Sequence, residues 1–339
     1  MCIDSPDLPP QNNRPHLVLL GAGASYAAFP NGDRNGRKLP LMMNFIETIG
    51  MEELANRTGL NWEGRNFENF YSDLYEDNSK CDIRHEIENF IFDYFFNLQI
   101  PDEPTIYDYL ILSLRDKDAI ATFNWDTFLI YAAWRNANVV GPEHMPAIFF
   151  LHGNTAIRYK FEENGVLQKT LANPANDRCL KNAGWESPPL LYPVKQKDYQ
   201  NNPMIRKEWE GIIRYMEDAY LFTIFGYGAP STDVEAMKLL KEGWGDVHQR
   251  NLEQVEIIDI KDERELEATW SEFIHSGHYH ILNSYFDSTM AQMPRRSSEA
   301  FFAATMEMEP ARPCPAPQNL SLAELQEWFR PLIEKEQGA

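Results

Sequence analysis

The segment Gly21-Ala22-Gly23-Ala24-Ser25 constrains the fold more than any other, because it directly follows the apolar run from Leu17 to Leu20. This order predicts a buried strand that ends in a glycine turn and leads into a helix beginning near Ser25. Glycine lets a ligand approach the backbone closely, and the N–H groups at a helix start attract phosphate. The segment therefore predicts a site for the phosphates of a dinucleotide such as NAD, where a side chain added at Gly23 is expected to intrude.

The same segment departs from the fingerprint of ordinary NAD-dependent dehydrogenases. Those proteins place Gly or Ala at the sixth position and an acidic residue about 20 positions later, after a second strand. Here Tyr26 stands at the sixth position, and a polar stretch at 29–37 precedes a helix-like segment at 39–49. A dehydrogenase of that type is disfavoured.

Length, charge and cysteine spacing exclude several other classes. The chain of 339 residues can bury a substantial core, and its net charge of −20 disfavours a groove that follows a nucleic-acid backbone. Its four cysteines are widely separated, so they form no CxxC pair for a zinc ribbon or a redox couple. No apolar run reaches the roughly 18 residues that a membrane span needs, so we expect a cytoplasmic protein that does not contact a membrane.

Alternating apolar runs and helical periodicity predict an α/β fold, a Rossmann-like parallel sheet flanked by helices. Helix-like segments after the first strand predict an inserted helical module at about 31–115; they lie at 39–49, 66–75, 82–97 and 105–114. Later strands are predicted at 119–122, 147–151, 220–225, 255–260 and 278–282, with helices at 126–135, 204–219, 232–241 and 264–275. Residues 155–190 predict a small flap with a hairpin at 159–170.

The C-terminal part of the chain differs in composition. We predict a domain over residues 1–290, followed at 291–339 by a proline-containing tether and an amphipathic helix. Ser321 and Glu324 form a capping box for this helix, whose apolar face carries Leu325, Trp328, Leu332 and Ile333. That face could contact a partner or pack on its own domain.

Polar and glycine residues follow the predicted core strands. They are Gly21 to Ser25, Thr122 to Asp126, His152-Gly153-Asn154, Gly226 to Asp233, and Asp259. Any one of them could be an ordinary turn or helix cap. Because open parallel sheets bind ligands at the carboxyl ends of their strands, we expect these residues to meet at one site.

The order of these motifs over roughly residues 17–260 resembles that of the sirtuin (SIR2) superfamily. That family carries a Gly-Ala-Gly-x-Ser turn, a Thr-x-Asn-x-Asp segment, a His-Gly pair, a later glycine turn and a strand end that contacts adenosine. The resemblance implies NAD⁺ binding by Gly21, Ala22, Gly23, Ser25, Thr122, Phe123, Trp125, Gly226, Tyr227, Gly228, Ser231, Asp233 and Asp259. It implies catalysis by Asn124, which would hold the ribose or a water, by Asp126 near the carboxamide, and by His152.

Two departures from the family bear on the activity. Phe123 and Trp125 stand where deacylating sirtuins usually have glutamine and isoleucine, and the zinc ribbon is absent from the sequence. The resemblance therefore implies an NAD⁺ hydrolase of the prokaryotic anti-phage type, which releases nicotinamide and ADP-ribose. Such proteins act as homo-oligomers or with a defence-system partner, for example a co-encoded ATPase or sensor. An NAD-dependent protein deacylase and a non-catalytic NAD or ADP-ribose sensor are the alternatives.

The predicted chemistry requires no metal. Nicotinamide leaves as a neutral molecule without a general acid, and His152 would accept the proton of the attacking water while Asn124 orients it. We expect both side chains to be partly exposed to solvent. His278 and His280 have a spacing that suits a metal, with His275 nearby, but no carboxylate partner is evident, so no metal site is predicted.

Overall fold

The computed structural model describes residues 13–163, 165–194, 199, 201–229, 233–275 and 277–337. The strands are β1 His16–Leu20, β2 Ala119–Thr122, β3 Ala147–Phe150, β4 Ile157–Phe161, β5 Leu167–Leu171, β6 Leu221–Phe225, β7 Gln254–Ile258 and β8 Tyr279–Leu282. The helices are α1 Ala22–Ala28, α2 Phe45–Ile49, α3 Glu52–Arg57, α4 Phe67–Glu76, α5 Cys81–Phe96, α6 Ile106–Ser113, α7 Phe128–Val140, α8 Asp177–Asn182, α9 Pro203–Asp218, α10 Val234–Trp244, α11 Glu263–Thr269, α12 Thr289–Gln292, α13 Ser297–Phe302 and α14 Leu322–Gln337. No helix in the described ranges is long and apolar enough to cross a membrane.

Six strands form one parallel sheet in the order β3-β2-β1-β6-β7-β8. Counted along the chain without the hairpin β4–β5, this is the Rossmann order 3-2-1-4-5-6. The predicted α/β fold with a Rossmann-like parallel sheet is confirmed. The direction of strand succession reverses between β1 and β6, and sheets of this kind bind ligands above that reversal.

Both faces of the sheet are covered, which explains why its strands are mostly apolar. Alternate residues of β1 point to opposite faces: Val18 and Leu20 pack with α1 to α7, whereas Leu17 and Leu19 pack with α9 to α11. All five residues of β1 are buried. The strand ends are thereby held in a rigid frame, and the residues that follow them are placed by it.

The helical module between β1 and β2 consists of α2 to α6, but its first helix is shorter than predicted. The sequence prediction was a helix over 39–49, whereas α2 begins at Phe45. Pro40 disfavours helical backbone at the residue before it, and the Asn44 side chain accepts a hydrogen bond from the Leu41 N–H, 2.8 Å away. Residues 39–44 instead form a loop.

Other predicted boundaries were also wrong. The helix expected to begin near Ser25 begins at Ala22, so Ser25 lies inside it. The helix predicted at 204–219 begins one residue earlier, at Pro203, where a missing N–H costs nothing. The helix predicted at 264–275 ends at Thr269.

The C-terminal helix α14 docks on the same core as the sheet. Leu325, Phe329 and Ile333 are buried there, and the Gln326 side chain donates to the Arg135 carbonyl oxygen on α7, 3.1 Å away. The predicted capping box is present, since the Ser321 N–H and hydroxyl both donate to Glu324. The amphipathic face of this helix therefore packs on its own chain.

Candidate functional site

A cavity of about 800 Å³ opens above the carboxyl ends of the parallel strands, at the reversal between β1 and β6. It is lined by most of the predicted site residues, namely Ala22, Gly23, Ser25, Phe123, Asn124, Trp125, Asp126, His152, Gly226, Tyr227, Gly228, Asp233 and Asp259. Gly21 and Thr122 lie beside the cavity without lining it, and Ser231 lies outside the described residues. The strand-end motifs, dispersed along the sequence, thus share one space.

The turn after β1 packs directly against the turn after β6. The Gly23 N–H donates to the Gly226 carbonyl oxygen at 2.9 Å, and the Gly21 N–H donates to the Phe225 carbonyl oxygen at 3.0 Å. Gly226 has a φ of +61°, which favours glycine. A Cβ on Gly23 would lie 2.8 Å from the Gly226 Cα, and one on Gly21 would lie 2.5 Å from the Gly226 carbonyl oxygen. These glycines are needed for contact between two backbone segments.

This packing corrects the expectation that a side chain at Gly23 would intrude on a phosphate. Such a side chain would collide with Gly226 of the protein itself. The N–H groups of Gly23 and Ala24 are also engaged within the chain, the second by the Gly21 carbonyl oxygen at 3.0 Å. By contrast, the one atom of the described residues, chain neighbours aside, that a Cβ on Gly228 would meet is the Lys261 Nζ, 3.9 Å away, so the backbone at Gly228 has more room for a ligand.

Ser25 is the centre of a buried hydrogen-bond cluster. Its Oγ donates to Asp126 Oδ2 at 2.7 Å and accepts from Asn124 Nδ2 at 2.9 Å. Tyr107 on α6 lies 2.6 Å from the same oxygen, and because the Ser25 proton is directed to Asp126, the Tyr107 hydroxyl must be the donor. Asn124 Nδ2 also donates to the Gly21 carbonyl oxygen at 2.8 Å. The cluster joins the first glycine turn, the segment after β2 and the inserted module.

Burial raises the pKa of Asp126 above its usual range, although hydrogen bonds from Ser25 and from the Phe128 N–H oppose this. The same burial, reinforced by the charge of Asp126, raises the pKa of Tyr107, so this phenol stays protonated. A carboxylate with few water contacts gains from a nearby positive charge. Asp126 is therefore suited to a cationic ligand group.

His152 follows β3 and is buried, with 6% of its surface exposed. Its Nε2 lies 2.7 Å from the Tyr199 hydroxyl, and its ring contacts Phe123 edge-on with centroids 4.6 Å apart. Burial raises the pKa of Tyr199, so the phenol keeps its proton and holds the imidazole by a hydrogen bond. The expectation that His152 would be partly exposed was wrong, because these aromatic neighbours enclose it. Asn124 is half-buried.

Three other predicted residues support the lining. Thr122 is buried, and its Oγ1 accepts from the Asn124 N–H at 3.0 Å, so it shapes the turn after β2. Tyr227 stacks on Phe123 with ring centroids 4.3 Å apart, and its hydroxyl donates to Asp233 Oδ2 at 2.9 Å. These contacts fix the aromatic wall beside His152.

Further lining residues come from segments that carry no motif. The inserted module contributes Leu39, Leu41, Met42, Phe45 and Glu68, which make one side of the cavity mostly apolar. Lys261 also lines the cavity, and Tyr107 and Tyr199 hold Ser25 and His152 by hydrogen bonds. The sequence motifs predicted none of these three residues. Tyr107 lies within a helix that reads as ordinary core, and its contact with Ser25 joins residues 82 positions apart.

The histidines considered as metal ligands lie elsewhere. The ring centroids of His275 and His278 are 5.5 Å apart, and those of His248 and His275 are 6.1 Å apart. Within the described ranges, no group of three or more His, Cys, Asp or Glu side chains could hold a metal ion.

No protein-family model matches the chain, and no curated protein matches it. Solved sirtuin structures are among those to which the chain is similar. A variant of a Sir2 homologue with 2′-O-acetyl-ADP-ribose has a TM-score of 0.41 at 13% identity, over 95% of this chain and 96% of that chain. Another variant, with ADP-ribose, has a TM-score of 0.39 at 13% identity, over 91% and 96%. Sir2Tm with a propionylated peptide has a TM-score of 0.38 at 12% identity, over 87% and 93%.

The geometry of the cavity itself defines what it can do. It offers a buried carboxylate, an amide, and an imidazole held by a phenol, all facing one enclosed space. Its volume falls within the range of roughly 300–1,000 Å³ that is usual for small-molecule sites. The arrangement suits a ligand with a cationic group, hydroxyls to be oriented, and a proton to be accepted.

Proposed function

We propose that this protein hydrolyses NAD⁺ at the bond between nicotinamide and ribose, giving nicotinamide and ADP-ribose. The observation that carries the proposal is that one cavity, at the strand reversal of a Rossmann-ordered sheet, holds Ser25, Asn124, Asp126 and His152. Dinucleotides bind at this place in sheets of this order. The aromatic and apolar wall would accommodate the flat nicotinamide ring.

In the proposed reaction the glycosidic C–N bond breaks, and its electron pair passes to the ring nitrogen of nicotinamide. Water forms the new C–O bond at the anomeric carbon and gives its proton to Nδ1 of His152, in the tautomer whose Nε2–H donates to the Tyr199 oxygen, and His152 returns the proton to solvent. Asp126 would stabilise the positive charge that the ribose develops, since charge–charge interaction is strong in a buried site. Asn124 would orient a ribose hydroxyl or the water.

The nicotinamide leaving group is neutral, so the site needs no acid to protonate it. The requirement is for orientation and a base, and base catalysis of this kind contributes roughly 10²–10⁴-fold. His152 is held on two sides, by Tyr199 and by Phe123. A fixed imidazole of this kind is favourable for accepting a proton at one position.

We further propose a role in anti-phage defence, in which the cytoplasmic NAD pool is depleted and the infected cell stops growing. This part rests on the order of sequence motifs. Continuous activity would harm the host, so a homo-oligomeric state or a defence-system partner would control it. Comparison of cellular NAD in cells expressing the wild-type chain or its His152→Gln variant tests this role.

Incubation of the purified protein with NAD⁺, followed by chromatography, tests the reaction. We expect equal amounts of nicotinamide and ADP-ribose from the wild type, with and without EDTA, and neither product from His152→Gln. Nicotinamide release that requires an acylated peptide would instead identify a protein deacylase. Tight NAD⁺ binding without turnover would identify a sensor.

A further inference from the structure

The cavity lining is rich in carboxylates. Glu68, Asp126, Asp233 and Asp259 all line it, and Lys261 is the one lysine or arginine among the lining residues that the structure describes. A dinucleotide adds two negative charges through its diphosphate, so nearby carboxylates oppose its binding unless a cation compensates. Lys261 is in place to supply that positive charge.

Lys261 lies two residues after the strand-end Asp259, yet its ammonium reaches the turn after β6. The Nζ atom is 3.9 Å from the position that a Cβ on Gly228 would take, and among the described residues other than the chain neighbours of Gly228 it is the one atom within 4 Å of that position. The backbone N–H of Lys261 donates to Asp259 Oδ1 at 3.1 Å, which fixes the start of the segment. Open backbone at Gly228 and a lysine ammonium therefore face the same volume.

The present partner of Lys261 can be exchanged. Its Nζ lies 2.5 Å from Glu265 Oε1 on α11, and both side chains are well exposed, at 42% and 55%. Ion pairs exposed to this degree contribute little, because water and salt screen them. A phosphate oxygen in the cavity offers the ammonium a hydrogen bond assisted by charge, which is the stronger interaction.

We propose that Lys261 is a diphosphate-binding residue, whose ammonium binds the phosphate oxygens of the dinucleotide beside Gly228. This inference rests on the proposed function, since it names the group that holds the same ligand. In the absence of a ligand, Glu265 is the partner of this ammonium. The sequence motifs assign no role to either residue.

Calorimetric titration with ADP-ribose tests the assignment, because this ligand keeps the diphosphate and is not consumed. We expect Lys261→Gln to raise the dissociation constant about tenfold and to reduce its dependence on salt. Glu265→Gln should leave the affinity unchanged or increase it, since it frees the lysine. The matched control is Lys207→Gln, which breaks a similar exposed ion pair with Glu210, 2.8 Å long, outside the cavity.

The outcomes separate this inference from the proposed function. Wild-type protein that binds ADP-ribose, together with Lys261→Gln of equal affinity, would overturn the inference alone. Wild-type protein that does not bind ADP-ribose would overturn both. If Lys261→Gln lost affinity only for ligands that carry a 2′-phosphate on the adenosine ribose, Lys261 would lie at that ribose, and the assignment would also be rejected.

Discussion

At the scale of single residues, Asn124 and His152 contribute to the fold as well as to the site. Asn124 Nδ2 holds the Gly21 carbonyl oxygen and Ser25 Oγ, and the His152 ring fills space between Phe123 and Tyr199. Removing either side chain deletes hydrogen bonds that hold buried parts of the site together. Alanine variants at these positions should therefore lose both stability and activity, so they cannot separate the two roles.

His152→Gln should separate the two effects. Glutamine keeps a polar partner for the Tyr199 hydroxyl but cannot serve as a base near neutral pH, so NAD⁺ cleavage should fall roughly 10²–10⁴-fold with little change in melting temperature. Asn124→Ala should lose activity and also about 1–3 kcal/mol of unfolding free energy, because it deletes the hydrogen bonds to the Gly21 carbonyl oxygen and to Ser25 Oγ. Product chromatography measures the activity of each variant, and thermal unfolding measures its stability. Wild-type turnover in His152→Gln would reject the assignment.

The raised pKa of Asp126 predicts a pH dependence of ligand binding. Burial raises this pKa, so the carboxylate loses its charge at a higher pH than an exposed one. Affinity for cationic NAD⁺ should therefore be full above that pKa and fall as the pH drops through it, whereas ADP-ribose, which lacks the cationic ring, should depend less on pH.

Titrations between pH 8 and pH 4 in the His152→Gln background, where NAD⁺ is not consumed, measure the difference. Asp126→Asn should make the two ligands respond alike. Parallel pH curves in the protein that retains Asp126 would contradict its role toward the cationic ring.

The strand-end residues of the site could be predicted because parallel strands bring their carboxyl ends to one edge. Tyr107, Tyr199 and Lys261 could not. Tyr107 comes from the inserted module and Tyr199 from the chain before α9, and how these segments fold back over the edge depends on tertiary packing. Lys261 carries no motif and directly precedes Asp262 and Glu263, which form the start of α11.

At the scale of elements, two glycine turns meet, and their glycines serve different purposes. Gly23 lets the turn after β1 approach the turn after β6, and a Cβ there would lie 2.8 Å from the Gly226 Cα. Gly228 has open space beside it that belongs to the cavity. A substitution at Gly23 should therefore lower stability, whereas a substitution at Gly228 should weaken ligand binding.

Gly23→Ala should lower the unfolding free energy by about 1–3 kcal/mol, because backbone must move to admit the added carbon. Gly228→Val should leave stability within about 0.5 kcal/mol of wild type but weaken ADP-ribose binding, since the side chain enters the ligand space. Urea unfolding and calorimetric titration measure the two quantities. Equal ADP-ribose affinity in Gly228→Val would place the diphosphate elsewhere.

Strand positions were easier to predict than helix starts. The strand predicted at 119–122 matches β2, because a buried strand is a short apolar run with clear limits. Helix starts depend on local bonds that periodicity does not reveal, as at residues 39–44, where Pro40 and the Asn44 side chain keep the chain out of a helix. The helix prediction used only the spacing of apolar residues, so it wrongly included residues 39–44.

At the scale of the whole molecule, the sheet carries a second buried polar network at its amino edge, opposite the cavity. His16 at the start of β1 is fully buried, and its Nδ1 and Nε2 lie 2.8 Å from Ser297 Oγ and Thr223 Oγ1 respectively. The Thr223 hydroxyl donates to Glu256, so His16 must donate to Thr223 through Nε2 and accept from Ser297 at Nδ1. The network joins β1, β6, β7 and α13 through a neutral imidazole.

This neutral histidine predicts a loss of stability in mild acid. Burial lowers the pKa of His16 from 6.5 to about 4, with Asp118 opposing the shift and Lys117 adding to it. Above pH 6.5 the ring is neutral in both the folded and unfolded states, so its contribution is complete. Between pH 6.5 and pH 4 only the unfolded chain takes up the proton, which lowers the unfolding free energy by about 3 kcal/mol in total.

Urea unfolding of the wild type and of His16→Gln across this range isolates the effect, because most other titrating groups are common to both proteins. The stability difference between the two proteins should shrink as the pH falls from 6.5 to 4, and a difference that stays constant would show that His16 is protonated in the folded state.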